Sequence, residues 1–529
     1  MDHSAEQSEL DSLELNGSSA ASSLTPPAKK AKTAPLTPDG AVQAQQQLAT
    51  PPDASLGLPD LPSTKGLCTL PDDELLQVFG FLTREQLLKC RTVCRRFRQL
   101  TLHPALWRRM NLLNPSWSAL GAATLRVAPC LRRLTVSNLD ELVLLGTLLA
   151  ASSCAVSELH VVLDVVDAVL VAVVLARQAT LGRLKEVKLT VTSTNVDAKS
   201  FLPRLRQLLR QLLSTPGLES IELDLDVKTA ALLETLALNA VKRAVPVPSS
   251  LRRLQYFSAC KDPYLPLFLE WHAATLEVVK LRCGHPRAAP MLAAMPRLRE
   301  LQCPVLKDMP ALLACTELRS LRLSISKDES PRHLFPGVAE YLRSAVATIE
   351  DLVLDYFQDE GRAQAVDLVL SLAGQRRTTP ALKSLRFVFR NDMEQLIFTE
   401  PQPQLRPLAA VVHRLKHLVS LNIGQFSDEL LDALDGEFVP NLERLEVSYR
   451  DECPHEWIHE EHVKELMQRC PRLHILAVVP EGCCIEGCTF CTENKCHEDL
   501  DLAGDFTLFS HPKEASCGVE HDDIEILIS

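Results

Sequence analysis

Long apolar runs, aromatic rings and a surplus of positive charge are all missing from this sequence, and each absence removes a class of function. The most apolar stretch, 161–176, is interrupted by Asp164 and Asp167. It is shorter than the roughly 20 apolar residues that a membrane-spanning helix needs, so no membrane association is expected. The first ten residues are acidic and lack the apolar core of a secretory signal. Lys and Arg total 56 against 67 Asp and Glu, a formal net charge of −11. Phosphate contacts need concentrated positive charge, so the chain as a whole is not read as a nucleic-acid binder. Aromatic residues make up 5% of the chain and apolar residues of all kinds 46%, so its interior must be built mainly from Leu, Val and Ala. Phosphate-loop, dinucleotide-turn and nucleophile-elbow motifs are also missing. His455, His459 and His462 lie near acids but read as exposed residues on a helix before Pro471. No residue set suggests catalysis, and the chain is read as a non-catalytic protein.

Cysteine is not scarce. The 17 cysteines are odd in number and irregularly spread, which suggests reduced thiols rather than a disulfide framework. The expected location is the cytoplasm, the nucleus or both. At 529 residues the chain exceeds one ordinary core, so several units or a repeat array are expected. Residues 1–66 are rich in Ser, Ala, Pro, Gln and Thr without a sustained apolar period, and are expected to be disordered. This tail carries Lys29-Lys30-Ala31-Lys32, readable as a nuclear import signal or as a solvated charge cluster. It also carries Thr25, Thr37 and Thr50, each before a proline. These are candidates for proline-directed phosphorylation or ordinary linker residues.

Residues 67–113 are the most informative segment. Pro71 suits the start of a helix, and Asp72, Asp73 and Glu74 complement the dipole of its first turn. Leu75, Leu76, Phe79 and Leu82 follow at helical spacing. Thr83-Arg84-Glu85-Gln86 has the form of a capping box, so a second helix begins there, carrying Leu87, Cys90, Cys94 and Phe97 on one face. Its other face is basic, with Arg91, Arg95 and Arg98, and His103-Pro104 ends it. Leu106 and Trp107 belong to a third short helix. So small a unit presents more apolar side chains than it can cover, and a partner surface is the physical expectation.

The run Leu70-Pro71-Asp72-Asp73-Glu74-Leu75-Leu76, then Val78-Phe79-Gly80-Phe81-Leu82, Val93-Cys94-Arg95-Arg96-Phe97 and Leu106-Trp107, resembles an F-box. It departs from the family pattern in an extra acid between Pro71 and Glu74 and in Phe97, where many members have Trp. The resemblance implies that this segment binds a Skp-type adaptor, and through it a cullin scaffold. It implies a substrate-recognition subunit of a ubiquitin ligase whose targets are ubiquitinated and degraded by the proteasome. Adaptor binding would fall to Leu70, Pro71, Leu75, Leu76, Phe79, Leu82, Leu87, Val93, Cys94, Phe97 and Leu106, with Trp107 as packing anchor.

From Leu131 a strand phrase recurs, apolar-x-x-apolar-x-apolar. Examples are Leu131-Leu134-Val136, Leu318-Leu321-Leu323, Leu442-Leu445-Val447 and Leu473-Leu476-Val478. Its mean step of about 29 residues lies at the edge of the leucine-rich-repeat range. Pro129, Pro216, Pro296, Pro380, Pro440 and Pro471 each stand two residues before a phrase, where proline resets the chain from helix to strand. Helical stretches lie between phrases, such as 201–213, 363–373 and 428–434, the last with Ser427 as N-cap and Gly436 as C-cap.

The array resembles leucine-rich repeats. It lacks the Asn or Cys that the family often places five residues after the second Leu, where this chain has Thr192, Asp226 and Ser326. The expected fold class is α/β: a three-helix F-box at 67–113, then a curved solenoid over 114–480 with parallel strands inside and helices outside. A generic α/β domain with many parallel strands is the alternative. Protein substrates would bind the inner strand face. Its candidate residues are Glu222, Asp224, Lys280, Arg282, Arg322, Asp355 and Arg386. Other readings of the chain are an adaptor-binding scaffold never assembled with a cullin, or a metal- or redox-responsive receptor.

The last reading rests on residues 481–529, a Cys-rich and acidic segment. Cys483 and Cys484 precede Cys488, Cys491, Cys496 and His497. The Cys-x2-Cys spacing lets two thiolates approach one metal. Cys484, Cys488, Cys491 and Cys496 could hold zinc or an iron–sulfur cluster; the alternative is a loop of free thiols. A bound metal requires that elemental analysis of the purified full chain show about one zinc, or iron with visible colour. Replacing Cys488 and Cys491 by Ser must then lower metal content and melting temperature together. Metal-free protein with unchanged melting in that variant leaves the free-thiol loop.

Overall fold

The computed structural model describes residues 67–528 apart from 115–118, 138–141, 194–201, 235–247, 259–260, 327–331, 358–365, 376–377, 391–403, 425–426, 449–456, 458–459, 480–488, 490–492, 494–505 and 513–523. The N-terminal tail, with its basic run and Thr-Pro sites, lies outside these residues. So does the cysteine cluster from Cys483 to His497, as do His455 and His459.

The segment opens with four short helices: α1 (Asp72–Gly80), α2 (Arg84–Cys90), α3 (Arg95–Leu100) and α4 (Pro104–Trp107). A single sheet follows. Its strands are β1 (Asn111–Leu113), β2 (Cys130–Val136), β3 (Ala155–Asp164), β4 (Glu186–Thr192), β5 (Ser220–Leu225), β6 (Arg253–Phe257), β7 (Val278–Leu281) and β8 (Glu300–Pro304). They continue as β9 (Ser320–Ser326), β10 (Asp351–Phe357), β11 (Ser384–Arg390), β12 (Ser420–Ile423), β13 (Arg444–Ser448), β14 (His474–Val479), β15 (Phe506–Pro512) and β16 (Ile524–Ile528). Spatial order is chain order throughout. Every pairing from β1 to β14 is parallel. β15 then runs antiparallel to β14, and β16 parallel to β15.

A parallel pair needs a crossover between its strands. Helices supply most of them, including Ala168–Leu181, Leu202–Ser214, Leu265–His272, Phe335–Ala345 and Glu461–Arg469; a 3-10 helix, Met309–Ala314, joins β8 to β9. Helix Leu202–Ser214 shows why they form. Its leucines at 205, 208, 209, 212 and 213 fall on one stripe and are buried. Helix Ala168–Leu181 stops where Gly182 takes a left-handed conformation (φ 69°), and its N–H closes on the carbonyls of Gln178 and Ala179.

The register is the central fact of the sheet. Leu112, Leu134, Leu159, Val187, Ile221, Leu254 and Val279 stand opposite one another on successive strands. The row continues through Leu301, Leu321, Leu352, Leu385, Leu421, Leu445 and Ile475. All of these residues are buried. They are the second positions of the recurring phrase, with two exceptions. β1 precedes the first recognised phrase, and in the last phrase Ile475 takes the place expected of Leu476.

Two local expectations change. The second helix of the first segment does not run through to Phe97. It ends at Cys90, the backbone turns at Thr92 and Val93, and Cys94 becomes an extended N-cap (φ −155°) for α3. The β-branched pair Thr92-Val93 is a poor continuation of a helix. Ser427 does cap its helix, accepting from the Leu430 N–H, but that helix ends at Ala433 and Gly436 is not its C-cap. Glycine is needed there because a Cβ would collide with the Arg469 carbonyl oxygen. The position that lacks the family's Asn or Cys is served in β5 by aspartate. Asp226 accepts the N–H of Ser193 at 2.9 Å and that of Thr229 at 2.8 Å.

His272 ends its helix in the interior, 4% exposed, and burial pushes its pKa down to about 4. The folded protein therefore keeps the ring neutral where the unfolded chain, titrating near the ordinary value of 6.5, takes up a proton. The stability this residue contributes is present above pH 6.5 and is lost as pH falls toward 4, by at most about 3 kcal/mol. Urea unfolding at pH 7 and pH 5 should show a smaller loss in His272→Leu than in the native chain. Equal losses would remove His272 from the account.

Candidate functional site

The four-helix segment is held by a small apolar centre. Leu75 and Phe79 from α1, Leu87 from α2, Phe97 from α3, and Leu106 and Trp107 from α4 are all buried. Phe79 and Phe97 meet edge to face, centroids 5.0 Å apart at 83°. The Trp107 indole N–H donates to the Thr101 carbonyl at 2.7 Å, so the largest ring in the unit carries no orphaned polar atom. Thr83 and Gln86 form the reciprocal capping box that their spacing predicts. Arg96 reaches back across the fold, donating to Asp72 through Nε at 2.8 Å and to the Leu70 carbonyl at 2.6 Å. This contact closes α3 onto the start of α1.

The twelve residues expected at the adaptor surface therefore divide. Leu75, Phe79, Leu87, Phe97, Leu106 and Trp107 are the interior that supports a surface. Leu70, Leu76, Leu82 and Cys94 are half-buried, and Pro71 and Val93 are exposed. Further apolar side chains are also exposed. Phe81 is 90% and Val93 64% exposed, and Val78, Leu102 and Leu67 are open as well. A free phenyl ring at the end of α1 is costly in water unless something covers it. Val78 and Phe81 lie off the stripe made by Leu75, Phe79 and Leu82, and that displacement was the signal in the sequence.

A second candidate surface is the polar face of the sheet. Glu222, Lys280, Arg322 and Arg386 share one cross-strand row with Gln255, Gln302 and Val353 between them. Most of the charges named from the sequence are committed to neighbours. Glu222 pairs with Lys188 at 2.7 Å, Lys280 with Glu300 at 3.0 Å, and Asp224 with Arg282 at 3.3 Å. Arg282 also lies over the Phe257 ring, 4.9 Å from its centroid. Asp355 is not an exposed residue: it is fully buried and takes Nη2 of Arg322 at 2.6 Å. Arg386 is exposed.

Farther along the same face, Glu158, His160 and Glu186 bring three potential metal-ligand atoms within 4.8 Å of one another. Arg132 and Arg133 hold the two oxygens of Glu158 at 3.1 and 2.7 Å and, against its partial burial, keep its carboxyl below the usual range. The cluster is an ion-pair network, and no metal role follows from it. No helix among the described residues is long and apolar enough to cross a membrane.

The two arginine pairs should differ sharply in weight. Arg322→Met removes a charged partner of a fully buried carboxylate and should cost about 3 kcal/mol in equilibrium unfolding. Arg282→Met opens a pair that both partners share with solvent and should cost less than about 1 kcal/mol. Equal costs would contradict the burial of Asp355.

No curated protein matches the chain. A family model described as F-box-like matches residues 67–113, the span from the first turn through α1–α4 to the end of β1. That span, with its closed apolar centre and uncovered apolar rim, is an F-box-like domain.

Proposed function

We propose that this chain is the substrate-recognition subunit of a ubiquitin ligase of the Skp–cullin–F-box type. Its F-box-like domain binds a Skp-type adaptor, the adaptor joins it to a cullin, and the sheet presents protein substrates for ubiquitination and degradation. The observation that carries this reading is the uncovered apolar rim on a domain of this family. F-box domains generally bind such adaptors. The fourteen parallel strands in constant register, with crossover helices, support reading the remainder as a leucine-rich-repeat solenoid, whose exposed strand face is the natural surface for a partner. On this reading the chain is a non-catalytic receptor, and the chemistry belongs to other subunits.

Exposed and buried residues test this separately. Phe81→Ala with Val93→Ala alters the rim and leaves the interior intact, so melting should be unchanged. Capture of a purified Skp-type adaptor should fall by roughly thirtyfold or more, the consequence of losing ~2 kcal/mol at an interface hot spot. Undiminished capture by a normally folded variant overturns the assignment of this surface.

A further inference from the structure

We propose that two copies of this chain associate through β16, whose outer edges pair antiparallel about a two-fold axis at Ile526. The sheet has two outer strands, β1 and β16. β1 offers three residues, and β16 offers five, Ile524–Ile528. Among the described residues β16 pairs on one side only, in parallel with β15. A strand in that position presents a row of backbone N–H and C=O groups along its other side. Edges of this kind are commonly blunted by lysine, proline or a bulge. The sequence Ile-Glu-Ile-Leu-Ile contains neither lysine nor proline and carries one charge. Its register against β15 is one for one from Ile524 to Ile528, which leaves no bulge.

The order of the residues selects the occupant. Read in either direction, the strand has isoleucine at both ends and at its centre. Antiparallel pairing centred on Ile526 therefore sets Ile524 against the partner's Ile528 and Ile526 against the partner's Ile526. Glu525 then stands against the partner's Leu527, and Asp523 against the partner's Ser529. No acid faces an acid.

The other pairings fare worse. Parallel stacking in register sets Asp522, Asp523 and Glu525 each against its own copy, and like charges directly opposite are destabilising. Parallel pairs are also slightly weaker per residue. Pairing β16 with β1 of a further copy engages three residues of β1 at most and is head-to-tail, whereas the two-fold arrangement uses the same surface on both copies and closes on itself.

The test is sedimentation equilibrium of the full chain over a range of concentrations. The native chain should show the mass of two chains and dissociate to one on dilution. Residues directly opposite across an antiparallel pair have Cβ atoms about 5 Å apart, so Ile526→Lys sets like charges against each other at the axis. That variant and Ile526→Glu should each sediment as one chain. Their equimolar mixture should recover the mass of two, which separates lost pairing from a strand displaced by the new charge. Leu527→Lys sets a lysine opposite the partner's Glu525 twice and should lower the dissociation constant severalfold. Parallel pairing sets lysine against lysine and raises it. The association needs no adaptor, so its outcome is separate from that of the proposed function. A native chain of one-chain mass at every concentration would leave the edge to a strand of another protein and overturn the proposal. So would a mass beyond two chains, a mixture that stays at one-chain mass, or a weaker pair in Leu527→Lys.

Discussion

One aliphatic side chain per strand, kept opposite its neighbours across fourteen parallel strands, is the constraint on which the rest of this structure depends. A slip of a single residue anywhere in the row would turn that strand's buried side chains to the other face. Because no slip occurs from Leu112 to Ile475, the opposite face is equally continuous, and its charges stand in rows rather than at random. The ion pairs Lys188–Glu222, Lys280–Glu300 and Arg322–Asp355 are consequences of that order, each joining residues on different strands. Most are half-open to solvent and add little stability singly. Their effect is to leave a face of mixed sign with few uncommitted charges, so any partner recognised there must match local shape and hydrogen bonding more than net charge.

The F-box-like domain is not hung on a linker. Its last element, β1, is the first strand of the sheet. The Arg132 N–H donates to the Met110 carbonyl at 2.9 Å, and the Cys130 thiol lies 3.7 Å from the Pro104 carbonyl. The domain and the sheet form one compact unit from Gly66 onward. On the proposed function, this places adaptor and substrate in a defined relation, as transfer of ubiquitin to a target requires.

Much of this order was legible in the residues themselves. The phrase read at Leu134, Val187 or Leu321 locates both the strand and the side chain that faces the core, because burial of one face imposes the spacing. β1 escaped because three residues carry no period. β15 and β16 escaped because they leave the repeat: β15 reverses direction, and neither carries the phrase. Leu476 was misplaced by one position because Ile475 and Leu476 are adjacent aliphatics, and spacing alone cannot choose between them. In the F-box-like domain the motif showed which side chains matter but not which way they face. Leu75 and Leu106 are interior, while Phe81 is at the surface. The commitments of Asp355 to Arg322 and of Asp226 to two backbone turns are tertiary facts that no local pattern encodes.

The central claim is that the uncovered rim of residues 67–113 joins the sheet to a ligase. It is tested most directly by expressing the tagged full chain in cells and measuring, by quantitative mass spectrometry, what co-purifies in equimolar amount. The account predicts a Skp-type adaptor together with a cullin. Adaptor without cullin would contradict the ligase role, and absence of both would contradict the reading of the domain's surface.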